Sequence, residues 1–192
     1  MKTRETTLGE IADIKTGYVF RGRVQEDPAG NVRVIQNKDM AAGQVNLEGV
    51  ATVSVPDRGT LGRVQRGDIL LRSRGTAPDV ALVGQEPEKD TILASPLMRI
   101  RITDPAVADS GYVAWLLGQE AAQEYLRGSS RGSTLPVITK SEVEKLPLVL
   151  PPAAYQQRVG EIAALSAEVQ RLTHELADKE AAYVSALLNN QH

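Results

Sequence analysis

The chain has 192 residues, 42% hydrophobic and 24% charged, with a net charge of −2 and no cysteine. This excludes a disulfide framework, a thiolate nucleophile and a cysteine-ligated zinc site, and no stretch approaches the roughly 18 apolar residues that a membrane-spanning helix requires. A net-negative chain is not an indiscriminate nucleic-acid binder, so any basic surface must be local: residues 1–151 hold 19 Lys and Arg against 19 Asp and Glu, and residues 152–192 hold 3 against 5.

The opening, MKTRETTLGEIADI, lacks the apolar run of a signal peptide, and a cytoplasmic protein is the simplest expectation. Within it, TLGEIADIKTG reads as a short capped helix, with Thr7 as N-cap, Glu10 three residues on and Gly17 as the stop. From Arg33 to Ile102 the texture changes to short β-branched runs (VRVIQ, ATVSV, DILLRS, DVALVG, LMRIRI) punctuated by Gly, Pro and Asp, which marks a strand-rich region. Alternation in LMRIRI puts Met98, Ile100 and Ile102 on a buried face and Arg99 and Arg101 on the opposite one.

DSGYVAWLLGQEAAQEYLRG predicts one helix of about four turns, with Val113, Leu116, Leu117, Ala121 and Leu126 near one face and Gly128 at its end. Trp115, the only tryptophan, is assigned to core packing. After the loop GSSRGSTLP, Thr139 or Ser141 caps one helical turn in TKSEVEKL. The strand-like LPLVLPP then leaves the head, and Pro151 and Pro152 end any pairing and stiffen the exit.

From Tyr155 to about Leu188 there is no proline and a single glycine, Gly160. Ile162, Leu165, Val169, Leu172, Leu176, Tyr183 and Ala186 recur at 4-3 spacing, a heptad seam interrupted by Lys179. Some 34 helical residues make a rod of roughly 50 Å. Ordering each backbone costs on the order of 1–2 kcal/mol, while a seam side chain returns roughly 1.5–3 kcal/mol only if buried, so the rod has to pack on something. Helix-on-helix pairing through the six seam residues Ile162, Leu165, Val169, Leu172, Leu176 and Tyr183 is one solution; folding back on the head is the other. The reading is α+β: a strand-rich domain with peripheral helices over residues 1–151, followed by a coiled-coil helix over 152–192.

Catalysis finds no support. The two histidines, His174 on the rod and His192 at the terminus, are poorly placed for a general base or a metal ligand, the acidic residues form no metal-type cluster, and no phosphate-binding glycine loop is present. The pairs Ser129-Ser130 and Ser133-Thr134 lack a His or Lys partner at informative spacing and are assigned to turn or phosphate hydrogen bonding. The strongest electrostatic feature is RGTLGRVQRGDILLRSRG, with five arginines against one aspartate. A guanidinium grips phosphates or pairs bidentately with guanine, so Arg72 and Arg74, at a strand end before Gly75, are candidate DNA contacts; a solvated strand edge is the competing reading. Arg21 and Arg23 beside glycines, Arg131 and Ser133 in the GSSRGST loop, and Lys38 and Lys140 complete the candidate set.

The segments TLGEIADIKTG, GDILLRSRGT, GSTLPVITKSEVEKLPLVLPP and YQQRVGEI, in this order, resemble the specificity subunits of type I restriction–modification systems. The resemblance implies a target recognition domain followed by a spacer helix, and no catalytic activity or cofactor in the chain itself. Family members usually carry two such units with their helices antiparallel, each domain reading half of a bipartite site in double-stranded DNA. One unit is present here, which implies either an antiparallel homodimer or a piece of a longer gene; Tyr155 stands where the family often has an acidic residue. The implied partners are methyltransferase subunits, which bind S-adenosylmethionine, and a DNA-translocating nuclease. A coiled-coil scaffold that reads no DNA is the alternative from a different functional class.

Overall fold

The computed structural model describes residues 3–55, 62–75, 78–130 and 136–189. The chain opens with β1 (Arg4–Thr7), a single helical turn α1 (Leu8–Ile11) and β2 (Ala12–Thr16). Thr7 is the N-cap of α1, and Glu10 reaches back to accept from the Thr7 N–H at 3.0 Å and from the Thr6 hydroxyl at 2.6 Å. These bonds hold the Glu10 carboxyl below its ordinary pKa, the Thr6 hydroxyl contributing most. The expected helix therefore starts as read but stops at Ile11. Ala12 and Ile14 are buried on alternate positions, and pairing with a strand some 85 residues away overrides the helical pattern.

That distant strand is β10 (Leu97–Ile102), in a six-stranded sheet of order β2-β10-β7-β8-β5-β4, with β4 (Met40–Ala41), β5 (Gln44–Val45), β7 (Ile69–Arg72) and β8 (Val80–Leu82). A second sheet has order β6-β3-β9, from β3 (Val32–Ile35), β6 (Ala51–Val53) and β9 (Thr91–Leu93). One face of the large sheet, with Ile14, Ile69, Leu71, Met98 and Ile100, packs beneath the helices; Leu70 and Leu97 on the other face join Ile35, Val64 and Leu93 in a second core. β10 is thus covered on both sides. Arg99, expected on the solvent face, is buried at 3% exposure, and Arg101 is half-buried.

The expected four-turn helix is two helices, α2 (Ser110–Leu117) and α3 (Glu120–Gly128). Gly118 ends the first, its N–H 3.0 Å from the Trp115 carbonyl, and the Gln119 and Gln123 amides donate to the Trp115 and Leu117 carbonyls at 3.0 and 2.8 Å. Side-chain donors for the orphaned carbonyls make the break stable. Tyr112, Val113 and Leu117 take the buried face of α2, which leaves Trp115 37% exposed rather than in the core, with its ring 5.6 Å from that of Tyr112.

The helix α4 (Lys140–Glu144) begins as read: Thr139 caps it, donating its N–H to Glu142 at 2.7 Å and accepting from the Glu142 N–H at 3.4 Å. The strand β11 (Pro147–Leu150) then pairs antiparallel with β1, Arg4 opposite Leu150 and Thr7 opposite Pro147, burying Leu148 and Leu150. The two ends of the head are thereby zipped together just before the helix α5 (Ala153–Asn189) departs.

Two features fix the departure of α5. Gln156, 2% exposed, donates to the carbonyls of Pro151 (2.8 Å) and Val107 (3.2 Å) and accepts from the Asp109 N–H (3.0 Å). One turn later Gly160 lies against Gly111 of α2 so closely that a Cβ on Gly160 would stand 2.5 Å from Asp109 Oδ1 and 2.9 Å from the Tyr112 nitrogen. Beyond this contact the seam turns away from the head: Ile162, Leu165, Val169, Leu172, Leu176 and Tyr183 are all 50–67% exposed. The seam does not fold back on the head.

Candidate nucleic-acid interface

Because β2 and β7 both run antiparallel to β10, their C-terminal ends lie together where β10 begins, with Thr16 opposite Met98 and Arg72 opposite Leu97. Three loops continue from this end. The Gly17 N–H donates to the Leu97 carbonyl at 2.8 Å and Tyr18 bridges to Ala94, directing the segment that carries Arg21 and Arg23. Past β7, the Ser73 N–H donates to the Pro96 carbonyl (2.9 Å), Arg74 bridges to Val137 and the Gly75 N–H donates to the Pro136 carbonyl (3.1 Å). The third is the joint leading to Thr139 and Lys140, tied to β7 by the Ile138 N–H on the Ser73 carbonyl at 2.8 Å.

Of the candidate residues, Arg21, Arg23, Arg74 and Lys140 are exposed around this end of the sheet. Lys140 lies 3.5 Å from Glu144 along its own helix. Arg72 is turned back along the hairpin, its Nη2 3.2 Å from the Asp79 carboxylate. Lys38 sits apart, on the 3-10 turn Asn37–Asp39 ahead of β4, the far edge strand of the sheet. Arg131 and Ser133 lie outside the described residues.

A second cationic group went unnoticed in the sequence. On the face of the large sheet opposite the helices, Arg101 forms a two-pronged pair with the fully buried Asp68 (Nε–Oδ1 2.7 Å, Nη2–Oδ2 2.8 Å), which raises the Arg101 pKa. Arg99 donates one Nη to Asp13 and the other to the Arg63 carbonyl at 3.4 Å; burial, then the neighbouring Arg101, lowers its pKa. Lys15, opposite Arg99 in the strand register, has no acidic partner among the described residues. The alternation in LMRIRI did place both arginines on one face. It could not show that Asp13 and Asp68, 86 and 33 positions away, meet them there.

Elsewhere the electrostatics reverse. The cleft of about 1340 Å³ between α5 and the β5–β8 edge is lined by Glu48, Glu86, Glu88, Glu168, Glu175 and Asp178, a surface that repels a polyanion. Among the described residues no group of three or more His, Asp or Glu side chains could hold a metal ion. His174 lies on α5 with Nδ1 2.8 Å from the Gln170 carbonyl. No helix among these residues is long and apolar enough to cross a membrane.

A family model described as the type I restriction modification DNA specificity domain matches residues 2–173. Among solved structures, the S subunit of a type I restriction–modification system from M. genitalium is 17% identical with a TM-score of 0.57, the match covering 92% of this chain and 41% of that one. The HsdS subunit from Thermoanaerobacter tengcongensis is 19% identical with a TM-score of 0.59, over 91% and 39%. A chain from a structure of the complex assembly and conformational transition of the type I R-M system is 20% identical with a TM-score of 0.58, over 93% and 42%. These similarities establish the fold, and the chain spans about two fifths of the length of each. No curated protein sequence matches it.

Proposed function

The chain belongs to the type I restriction modification DNA specificity family, and on that premise we propose that its head reads one half of a bipartite site in double-stranded DNA while α5 sets the distance to the other half by pairing antiparallel with a second copy. The exposed seam carries this reading. Six large side chains at heptad spacing, each at least half exposed on a helix otherwise anchored at Gln156 and Gly160, leave an apolar stripe that water penalises and a second helix would cover. The loops at the shared end of β2 and β7, with Arg21, Arg23 and Arg74, form the DNA-facing surface, and Arg72 and Lys140 support it. Arg131 and Ser133 are proposed as further DNA contacts, and Lys38 as a separate one away from this surface. The chain performs no chemistry: base methylation belongs to a methyltransferase subunit with its own S-adenosylmethionine, cleavage to a translocating nuclease where one is present, and the assembly works in the cytoplasm.

One pair of proteins tests this. Wild-type chain should sediment as a dimer at micromolar concentration and, with the methyltransferase subunit, bind duplex DNA with a strong salt dependence. In Leu172→Glu with Leu176→Glu, two unpaired charges enter the seam at a cost of several kcal/mol, giving a monomer and loss of tight binding. An unchanged mass in the double variant, or a monomeric wild type, sinks the pairing. A dimer without salt-dependent DNA binding leaves a coiled-coil scaffold instead.

A further inference from the structure

A pocket of about 260 Å³ opens on the polar face of the large sheet, lined by Lys15, Thr16, Gly17, Tyr18, Gly62 and Arg99 among others. Arg99 is the unusual member. Its side chain is 4% exposed and its two terminal nitrogens are engaged, yet the third, Nε, is shielded from water and has no acceptor among the described residues. A Cβ on Gly62 would stand 4.0 Å from that nitrogen and 3.3 Å from the Lys15 Cδ, so Nε lies beside a lining position that lacks a side chain, with the lysine stem next to it. A buried N–H without an acceptor is rare and costly in a native structure. Charge points the same way. Among the described residues, the carboxylates that hydrogen-bond to Arg99 and Arg101 are Asp13 and Asp68, and Arg101 takes both oxygens of Asp68. Burial first, and then the neighbouring Arg101, lowers the Arg99 pKa.

We propose that this pocket is a phosphate oxyanion site, in which the exposed Lys15 side chain swings off the Arg99 Nε–H and its ammonium and that N–H grip one oxygen of a DNA backbone phosphate. The choice of DNA as the source of the phosphate rests on the reading of function above. The place suits that source, because Gly17 and Tyr18 on the pocket wall lead directly into the segment with Arg21 and Arg23. A phosphate held there fixes the register of the head on the duplex without reading a base.

The test is Lys15→Gln in the full chain. Lys15 is exposed, so the variant should melt like wild type. Assembled with the methyltransferase subunit, it should bind cognate and unrelated duplexes more weakly by a similar factor, and the slope of log affinity against log salt should become shallower by about 1. Titration of the DNA-free chain with inorganic phosphate separates the sources. Saturable binding by wild type that is lost in Lys15→Gln, with DNA affinity unchanged, keeps the oxyanion site but assigns it to a free phosphate-bearing ligand. Wild-type DNA affinity and slope in the variant, together with no difference in phosphate binding, overturn the proposal. If wild type binds no DNA at all, the functional reading falls, and the phosphate titration alone decides the pocket.

Discussion

Gln156 shows how much a single side chain can hold. It is buried where the head ends and α5 begins, and its amide satisfies two carbonyls and one N–H from two distant segments, the loop before α2 and the exit at Pro151. Leucine is close to glutamine in size but offers neither donor nor acceptor, so Gln156→Leu leaves those groups dry and unpaired. The expected loss is about 2–5 kcal/mol of unfolding free energy, at roughly 1–3 kcal/mol for each stranded group after partial relaxation. A urea midpoint falls accordingly, whereas Gln157→Leu, at an exposed neighbour, leaves it within about 0.5 kcal/mol. A midpoint equal to wild type for Gln156→Leu shows that the joint is held by something else. The adjacent glutamines were visible in the sequence, but which of them turns inward was not: glutamine is mostly exposed, and burial is decided by partners at residues 107 and 109. Arg99 was misjudged for the same reason.

At the level of elements, the signals that proved readable were local ones. The Thr7–Glu10 and Thr139–Glu142 boxes mark helix starts because the cap and its partner lie within one turn. The long heptad pattern, broken at Lys179, marks α5 for the same reason. What escaped was long-range: β2 is a strand because β10 lies beside it, and β1 is a strand because β11 returns to it. Gly160 was visible as the lone glycine of the rod, but its purpose, contact with Gly111 on α2, required the packed helices. That contact reverses an ordinary expectation. In an isolated helix, Gly→Ala stabilises by about 1 kcal/mol. Here the added methyl group would press on Asp109 Oδ1, the acceptor that caps α2 by holding the Tyr112 N–H at 2.8 Å. Loss of the cap costs about 1 kcal/mol and the overpacking another 1–3 kcal/mol. Gly160→Ala should therefore lower the thermal midpoint despite its better helix propensity, while Ala164→Gly, a turn further along at an exposed position, lowers it by propensity alone. A stabilised Gly160→Ala would mean that α2 and α5 are not in close contact.

For the whole molecule, the decisive quantity is the symmetry of the assembly. Two identical helices that pair antiparallel are related by a two-fold axis across the rods, and that axis carries one head onto the other with its DNA-facing loops reversed in strand direction. Under the proposed pairing the same loops would read the same bases on opposite strands, and the target would be an inverted repeat. Its spacing follows from α5. The 37 residues from Ala153 to Asn189 extend about 55 Å. The first two turns of each helix are held against its own head by Gln156 and Gly160, which leaves roughly 30 Å between the two points of attachment in a fully overlapped pair, or about 9 base pairs at 3.4 Å each. A head reading DNA as proposed would contact only a few base pairs, too short a half-site for tight specificity alone, and the centre between the two halves would be left unread. Methylation mapping in cells that carry this chain as the sole specificity component, together with its methyltransferase partner, should yield a bipartite palindrome with a degenerate centre. Shortening α5 by one heptad within its exposed part, for example by deleting residues 179–185, should bring the half-sites closer by roughly 10 Å, or about three base pairs, without changing their sequence. A contiguous motif, two unrelated half-sites, or a spacing indifferent to the deletion would show that the two heads are not held apart by paired α5 helices.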